Sequence, residues 1–102
     1  MDLGLQNKVI IVTGGAKGIG EGIAVVLAKE GAQVVIVGRN AADNEKTVQA
    51  ILAAGGKAVG IQAELSLPAE CEQAVKTVTD LFGHIDGLVN NAGVNDGVGL
   101  ES

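Results

Sequence analysis

Val9-Ile10-Ile11-Val12-Thr13-Gly14-Gly15-Ala16-Lys17-Gly18-Ile19-Gly20 decides the fold of this chain. Val9–Val12 is a continuous β-branched run, the pattern of a strand buried on both faces of a parallel sheet. The glycines follow where that strand gives way to a helix. Gly14 permits the tight turn out of the strand, Gly18 lets the backbone approach a pyrophosphate, and Gly20 lets the helix pack close to the sheet. The helix then points its free N–H groups and its positive dipole end at a ligand's phosphates. The glycine spacing is wider than G-x-G-x-x-G, so the flanking strand and helix carry the reading. A P-loop of the Walker type ends in Gly-Lys-Ser/Thr. Lys17-Gly18-Ile19 does not, which disfavours ATP hydrolysis.

Outward from this turn, three further apolar runs appear at Val34–Val37, Ala58–Ala63 and Gly87–Val89. Helical segments lie between them. In the first, Ile19, Ile23, Val26 and Leu27 follow helical spacing and are expected to be its buried stripe, with Glu21, Lys29 and Glu30 left for solvent and Gly31 at its end. The second, about Ala41–Ala54, places Val48, Ile51 and Leu52 on one face and stops at Gly55-Gly56. The third is expected to start at a Ser66 cap with Pro68 in its first turn, to bury Cys71, Val75, Val78 and Phe82, and to close at Gly83. The alternation β-α-β-α-β-α-β predicts a parallel sheet with right-handed crossovers. No linker divides residues 1–102, so a single domain is expected.

Composition narrows the function classes. Of 102 residues, 47% are apolar, yet there is one Phe and no Trp or Tyr, so the core must be aliphatic. The net charge of -5 offers nothing to a polyanion backbone, so nucleic acid is not an expected partner. An anionic ligand must therefore be held locally. Cys71 is the single cysteine and forms no internal disulfide, which fits a reducing cytosol. The first residues, Met1 to Asn7, have neither a basic nor an apolar signal region. The apolar runs fall far short of the roughly 18 residues of a membrane span. A soluble, cytoplasmic protein without a membrane partner is the expectation.

The end of the second strand addresses which dinucleotide is bound. A site for NAD places an acidic residue there, about 20 positions beyond the glycines, to accept bonds from the ribose hydroxyls. Here the stretch is Val37-Gly38-Arg39-Asn40, with glycine at the acidic position and the only arginine of the chain after it. A guanidinium binds a 2′-phosphate bidentately, whereas a carboxylate repels it. Lys17 is within the glycine turn and is expected to approach the same phosphate. NADP(H) is therefore the preferred cofactor. Bonds to charged groups contribute about 1.5–3 kcal/mol, which is a preference and leaves NAD(H) able to bind.

Thr13 to Gly20 resembles the Thr-Gly-x-x-x-Gly-x-Gly of short-chain dehydrogenases/reductases. Asp86-Gly87-Leu88-Val89-Asn90-Asn91-Ala92-Gly93 resembles the same family's fourth strand and Asn-Asn-Ala-Gly motif. The two motifs match in order and spacing over nearly the whole chain. The resemblance implies a Rossmann-type, doubly wound α/β fold, here its N-terminal β1-α1-β2-α2-β3-α3-β4 portion with strand order 3-2-1-4. It implies that Gly14, Gly18, Ile19 and Gly20 contact the pyrophosphate and neighbouring ribose, and that Asn90, Ala92 and Gly93 line the adenosine side. It also implies that Glu64 and Leu65 flank the adenine, with Glu64 where the family usually has Asp. In that strand order the chain reverses between the first and fourth strands, the point where open α/β sheets bind ligands. Residues 94–101 are similar to those of sugar (L-fucose-type) dehydrogenases of the family; oxoacyl-thioester reductases are another substrate class the resemblance implies.

Family members are longer and use Ser, a Tyr-x-x-x-Lys pair and an Asn beyond Asn-Asn-Ala-Gly, the lysine lowering the tyrosine's pKa for proton exchange with the substrate oxygen. This chain has no Tyr, and no catalytic residue is carried over. The remaining chemical side chains have structural readings. His84 is expected to be a solvated turn residue, Cys71 an inert core thiol and Ser66 a cap, while Asp96 and Glu101 have no partner for a carboxylate pair or metal site. The leading expectation is the cofactor half of an oxidoreductase acting on a secondary alcohol or ketone, inactive as 102 residues. Its rivals are a non-catalytic dinucleotide-binding module and an interaction fragment pairing through the sheet edge. A fourth strand left as an edge, with one sheet face under a single helix, predicts self-association or marginal stability.

Overall fold

The computed structural model describes residues 4–14 and 17–91. Strands β1 (Val9–Thr13), β2 (Gln33–Gly38), β3 (Lys57–Gln62) and β4 (Gly87–Asn90) alternate with helices α1 (Gly18–Lys29), α2 (Ala41–Ala53) and α3 (Pro68–Phe82). The strands form one parallel sheet in the order β3-β2-β1-β4, a Rossmann-type α/β arrangement. Register pairs Ile10 with Val34 and Gly87, and Val12 with Ile36 and Val89.

Because side chains alternate across a strand, the continuous runs of β1 and β2 feed two cores at once. Ile10, Val12, Val34 and Ile36 pack with Ala24, Ala28, Val48 and Ile51 beneath α1 and α2. Val9, Ile11, Val35 and Val37 pack with Ala74 and Val78 beneath α3. Val12, Val34, Val35 and Ile36 are completely shielded. At about 25 cal/mol per Å² of apolar surface, these central strands supply the main hydrophobic stabilisation.

The helices face the sheet differently from expectation in three places. On α1 the buried stripe is Gly20, Ala24 and Ala28, while Ile19 and Val26 are 64% and 55% exposed. Close approach of this helix to β1 admits only small side chains, which overrides the apolar periodicity. On α2, Val48 and Ile51 are buried as expected, but Leu52 is exposed and Asn44 and Thr47 are buried instead. On α3, Ala74 and Val78 are buried; Phe82 packs at the margin of that core, Cys71 is half-buried and Val75 is exposed.

Helix ends follow local chemistry. Asn40 caps α2, its Oδ1 accepting the Asp43 N–H at 3.0 Å. Leu67, not Ser66, occupies the cap position of α3. The Ser66 hydroxyl instead donates to Glu64 Oε2 at 3.0 Å, because Pro68 already starts the helix one residue later. Gly83 ends α3 in the left-handed region, φ 85°. No helix among the described residues is long and apolar enough to cross a membrane.

Candidate dinucleotide site at the C-terminal edge of the sheet

The C-terminal ends of all four strands bring Thr13, Gly38, Gln62 and Asn90 to one edge. Gly14 leaves β1 at φ 68°, its N–H held by the Val37 carbonyl at 3.1 Å. Gly20 starts the buried face of α1. A Cβ there would meet the Gly14 carbonyl and stand 2.7 Å from Asn91 Nδ2, so the turn and the β4 end close around it. Gly18 has φ 57° with open space where its Cβ would be. No side chain caps α1. An open backbone at Gly18, a close-packed one at Gly20 and an uncapped helix start fit a pyrophosphate, which needs backbone N–H donors and near approach.

Thr13 ties this turn to β4. Its hydroxyl lies 3.0 Å from Asn90 Oδ1 as donor and accepts the Asn91 N–H at 2.9 Å. Asn90 is thereby held at the same strand-end edge as Gly14, between β1 and β4, where open α/β sheets have their switch point. Ala92, Gly93 and the tail at 94–101 lie outside the described residues.

The β2 and β3 ends form the other half. Arg39 Nη1 stands 3.9 Å from Glu64 Oε1 across an open groove lined also by Gln62, Ala63, Gln73 and Thr77. Gln62 Nε2 donates to the Arg39 carbonyl at 3.1 Å, and the Ala63 N–H to the Gly38 carbonyl at 3.0 Å. Glu64 thus occupies the rim; its N–H donates to Glu70 Oε1 at 2.6 Å. Leu65 turns inward against the α3 core, and its carbonyl accepts from Cys71 Sγ. Lys17 reaches the first turn of α2, with Nζ 3.3 Å from Asp43 Oδ2. Asp43, which faces Lys17, and Asn44, whose amide donates to the Gly38 carbonyl, stand at this edge and escaped the sequence reading; the signal for Asp43 was an acid three residues after a capping Asn40.

The opposite edge carries a separate cluster. Asp86 accepts the Val9 N–H at 2.8 Å and lies 2.9 Å from His84 Nε2. The backbone bond from Val9 holds the Asp86 carboxyl below its ordinary pKa, against the opposing effect of desolvation and aided by the neighbouring charges of His84 and Lys8. His84 is therefore tied to a turn far from the crevice. Among the described residues there is no group of three His, Cys, Asp or Glu side chains able to hold a metal ion.

With this geometry in hand, the comparisons with known proteins fall into one class. The short chain dehydrogenase family profile matches residues 8–102, and the chain belongs to that family. An uncharacterized oxidoreductase of Methylorubrum extorquens is 44% identical over 98 residues, which are 95% of this chain and 40% of that protein. The short-chain dehydrogenase/reductase homolog YusS of Bacillus subtilis is 38% identical over 93 residues, covering 90% of this chain and 85% of YusS. The crystal structure of L-sorbose reductase from Gluconobacter frateurii, complexed with NADPH and L-sorbose, superposes with a TM-score of 0.87 at 35% identity, over 91% of this chain and 36% of that one. The chain thus spans well under half of the first and third, and most of YusS.

Proposed function

We propose that this chain is the NADP(H)-binding portion of a short-chain oxidoreductase that acts on a secondary alcohol or ketone. The observation that carries the cofactor preference is Gly38 followed by Arg39 at the end of β2, beside Lys17 at the start of α1. Arg39 is exposed and free to turn from Glu64 to a 2′-phosphate, because an exposed ion pair contributes only about 0–1 kcal/mol. Lys17 adds a second cation to the same end. NAD(H) lacks the phosphate these cations favour and binds more weakly. Bound NADPH supplies the hydride. The chain's own residues hold its pyrophosphate at Gly14, Gly18, Ile19 and Gly20 and its adenosine at Glu64, Leu65, Asn90, Ala92 and Gly93. A sugar substrate is supported by the likeness to a structure holding L-sorbose; an oxoacyl substrate is the other class.

A second reading is a non-catalytic dinucleotide-binding or interaction module. It is favoured by the similar span of YusS, 85% of which this chain covers. In either reading the site belongs to a single domain over 1–102, in a cytoplasmic protein that forms homo-oligomers. Titration calorimetry with NADPH and NADH tests the cofactor, and equal affinities would sink the preference. The intact mass from the native source, followed by NADPH-linked assays over sugars and ketones, separates the two readings.

A further inference from the structure

Asn44 lies beneath the ribose end of the site and is 3% exposed. Its Nδ2 donates to the carbonyls of Gly38 at 3.0 Å and Ile61 at 3.2 Å, joining the ends of β2 and β3. Those two acceptors fix the amide: turned over, its oxygen would face both carbonyl oxygens. Asn44 Oδ1 consequently points at Gly38, 2.8 Å from where a Cβ of residue 38 would stand, and has no hydrogen-bond donor. On its other side Gly60 leaves room for the Asn44 side chain, since a Cβ at position 60 would stand 3.4 Å from the Asn44 Cβ.

Position 38 is where an NAD site carries its acid. A side chain there would meet Oδ1 closer than real contacts allow, and the carboxylate would find an acceptor instead of a donor. Asn44 cannot swing aside without abandoning two strand-end carbonyls. Resting on the NADP(H) reading above, we infer that Asn44 is a specificity-determining positioning residue: it keeps position 38 without a side chain and so keeps negative charge away from the phosphate that Arg39 faces. The same clamp fixes the β2–β3 end from which the Arg39 backbone is held by Gln62.

The test is a double-mutant cycle of Gly38→Asp and Asn44→Ala in the full polypeptide, read by calorimetric affinity for NADH and NADPH and by Tm. Gly38→Asp alone is expected to weaken NADPH at least tenfold, to leave NADH within threefold of the parent and to lower Tm. Adding Asn44→Ala is expected to tighten NADH at least tenfold over Gly38→Asp and to restore part of the lost Tm. Equal NADH affinity in Gly38→Asp and the double variant would overturn the inference. So would a tenfold NADH gain from Asn44→Ala by itself. Should the acidic variants fail to fold, Gly38→Ala in both backgrounds reads the same coupling by Tm, with a loss expected only where Asn44 is present. A parent without NADPH preference would instead count against the cofactor reading, since the cycle compares variants and is independent of it.

Discussion

The Thr13 hydroxyl accepts the Asn91 N–H at 2.9 Å and so joins the last residue of β1 to the chain leaving β4. The bond spans 78 positions of sequence and sits between the glycine turn and the second family motif. This short polar side chain thereby reinforces the β1–β4 ladder where it ends. Thr13→Val keeps the shape and removes this acceptor together with the donor to Asn90. The Asn91 N–H keeps its longer bond to the Thr13 carbonyl at 3.3 Å, so a loss of about 0.5–1.5 kcal/mol is expected from the hydroxyl's missing bonds, read by urea unfolding, with weaker NADPH binding in parallel.

Gly20 and Gly22 share helix α1 but not its contacts. Gly20→Ala puts a methyl against the Gly14 carbonyl and Asn91, groups that cannot yield without opening the turn, so a loss of about 1–3 kcal/mol and at least tenfold weaker NADPH binding are expected. Gly22→Ala meets nothing within 4 Å and is expected to stabilise by about 0.5–1 kcal/mol through helix propensity. Thermal melts of the two variants moving in the same direction would contradict this account of the turn.

Arg39 and Glu64 are expected to make opposite contributions to NADPH binding. Arg39→Gln is expected to weaken NADPH about tenfold while leaving NADH little changed, since only the 2′-phosphate differs. Glu64→Gln retains an oxygen for the adenine amine but removes the charge that competes for Arg39. It is expected to tighten NADPH a few-fold, most visibly at low salt. Weaker NADPH binding in Glu64→Gln would show that the carboxylate itself holds the adenine.

Asp86 is expected to contribute to stability against acid. Its pKa is lowered in the folded chain, so its contribution is present above the unfolded value of about 3.9 and is lost as pH falls through the folded value below it. Tm is therefore expected to hold from neutrality to about pH 5 and to fall on further acidification. Asp86→Asn should lower Tm near neutrality and flatten the acid limb. An unchanged acid limb in that variant would assign the fall to other carboxylates.

Leu88 is 62% exposed on the sheet face that α3 leaves uncovered beside β4. It is in register with Ile11, which α3 does cover. Expressed alone, the 102-residue chain is expected to self-associate, and Leu88→Lys to shift sedimentation toward monomer. A concentration-independent monomer in the parent would remove this expectation.

What the sequence determined by itself was the order of elements, the parallel sheet and the crevice at its switch point. Continuous Val/Ile runs, glycine-terminated helices and two spaced motifs are local signals that need no partner to be read. Strand limits differed by only a residue or so, as when β1 extended to Thr13. The tertiary structure alone decided which face each helix buries. Hydropathy favoured Ile19, Ile23, Val26 and Leu27 on α1, but close approach to β1 selected Gly20, Ala24 and Ala28. Leu27 consequently lies only at the margin of the core, and Ile23 is half-buried. Likewise nothing local marks Asn44 as buried: its partners, Gly38 and Ile61, lie 6 and 17 positions away and meet it only when β2, β3 and α2 have assembled. Packing distance and long-range hydrogen bonding are properties of the assembled layers, and one-dimensional periodicity does not encode them.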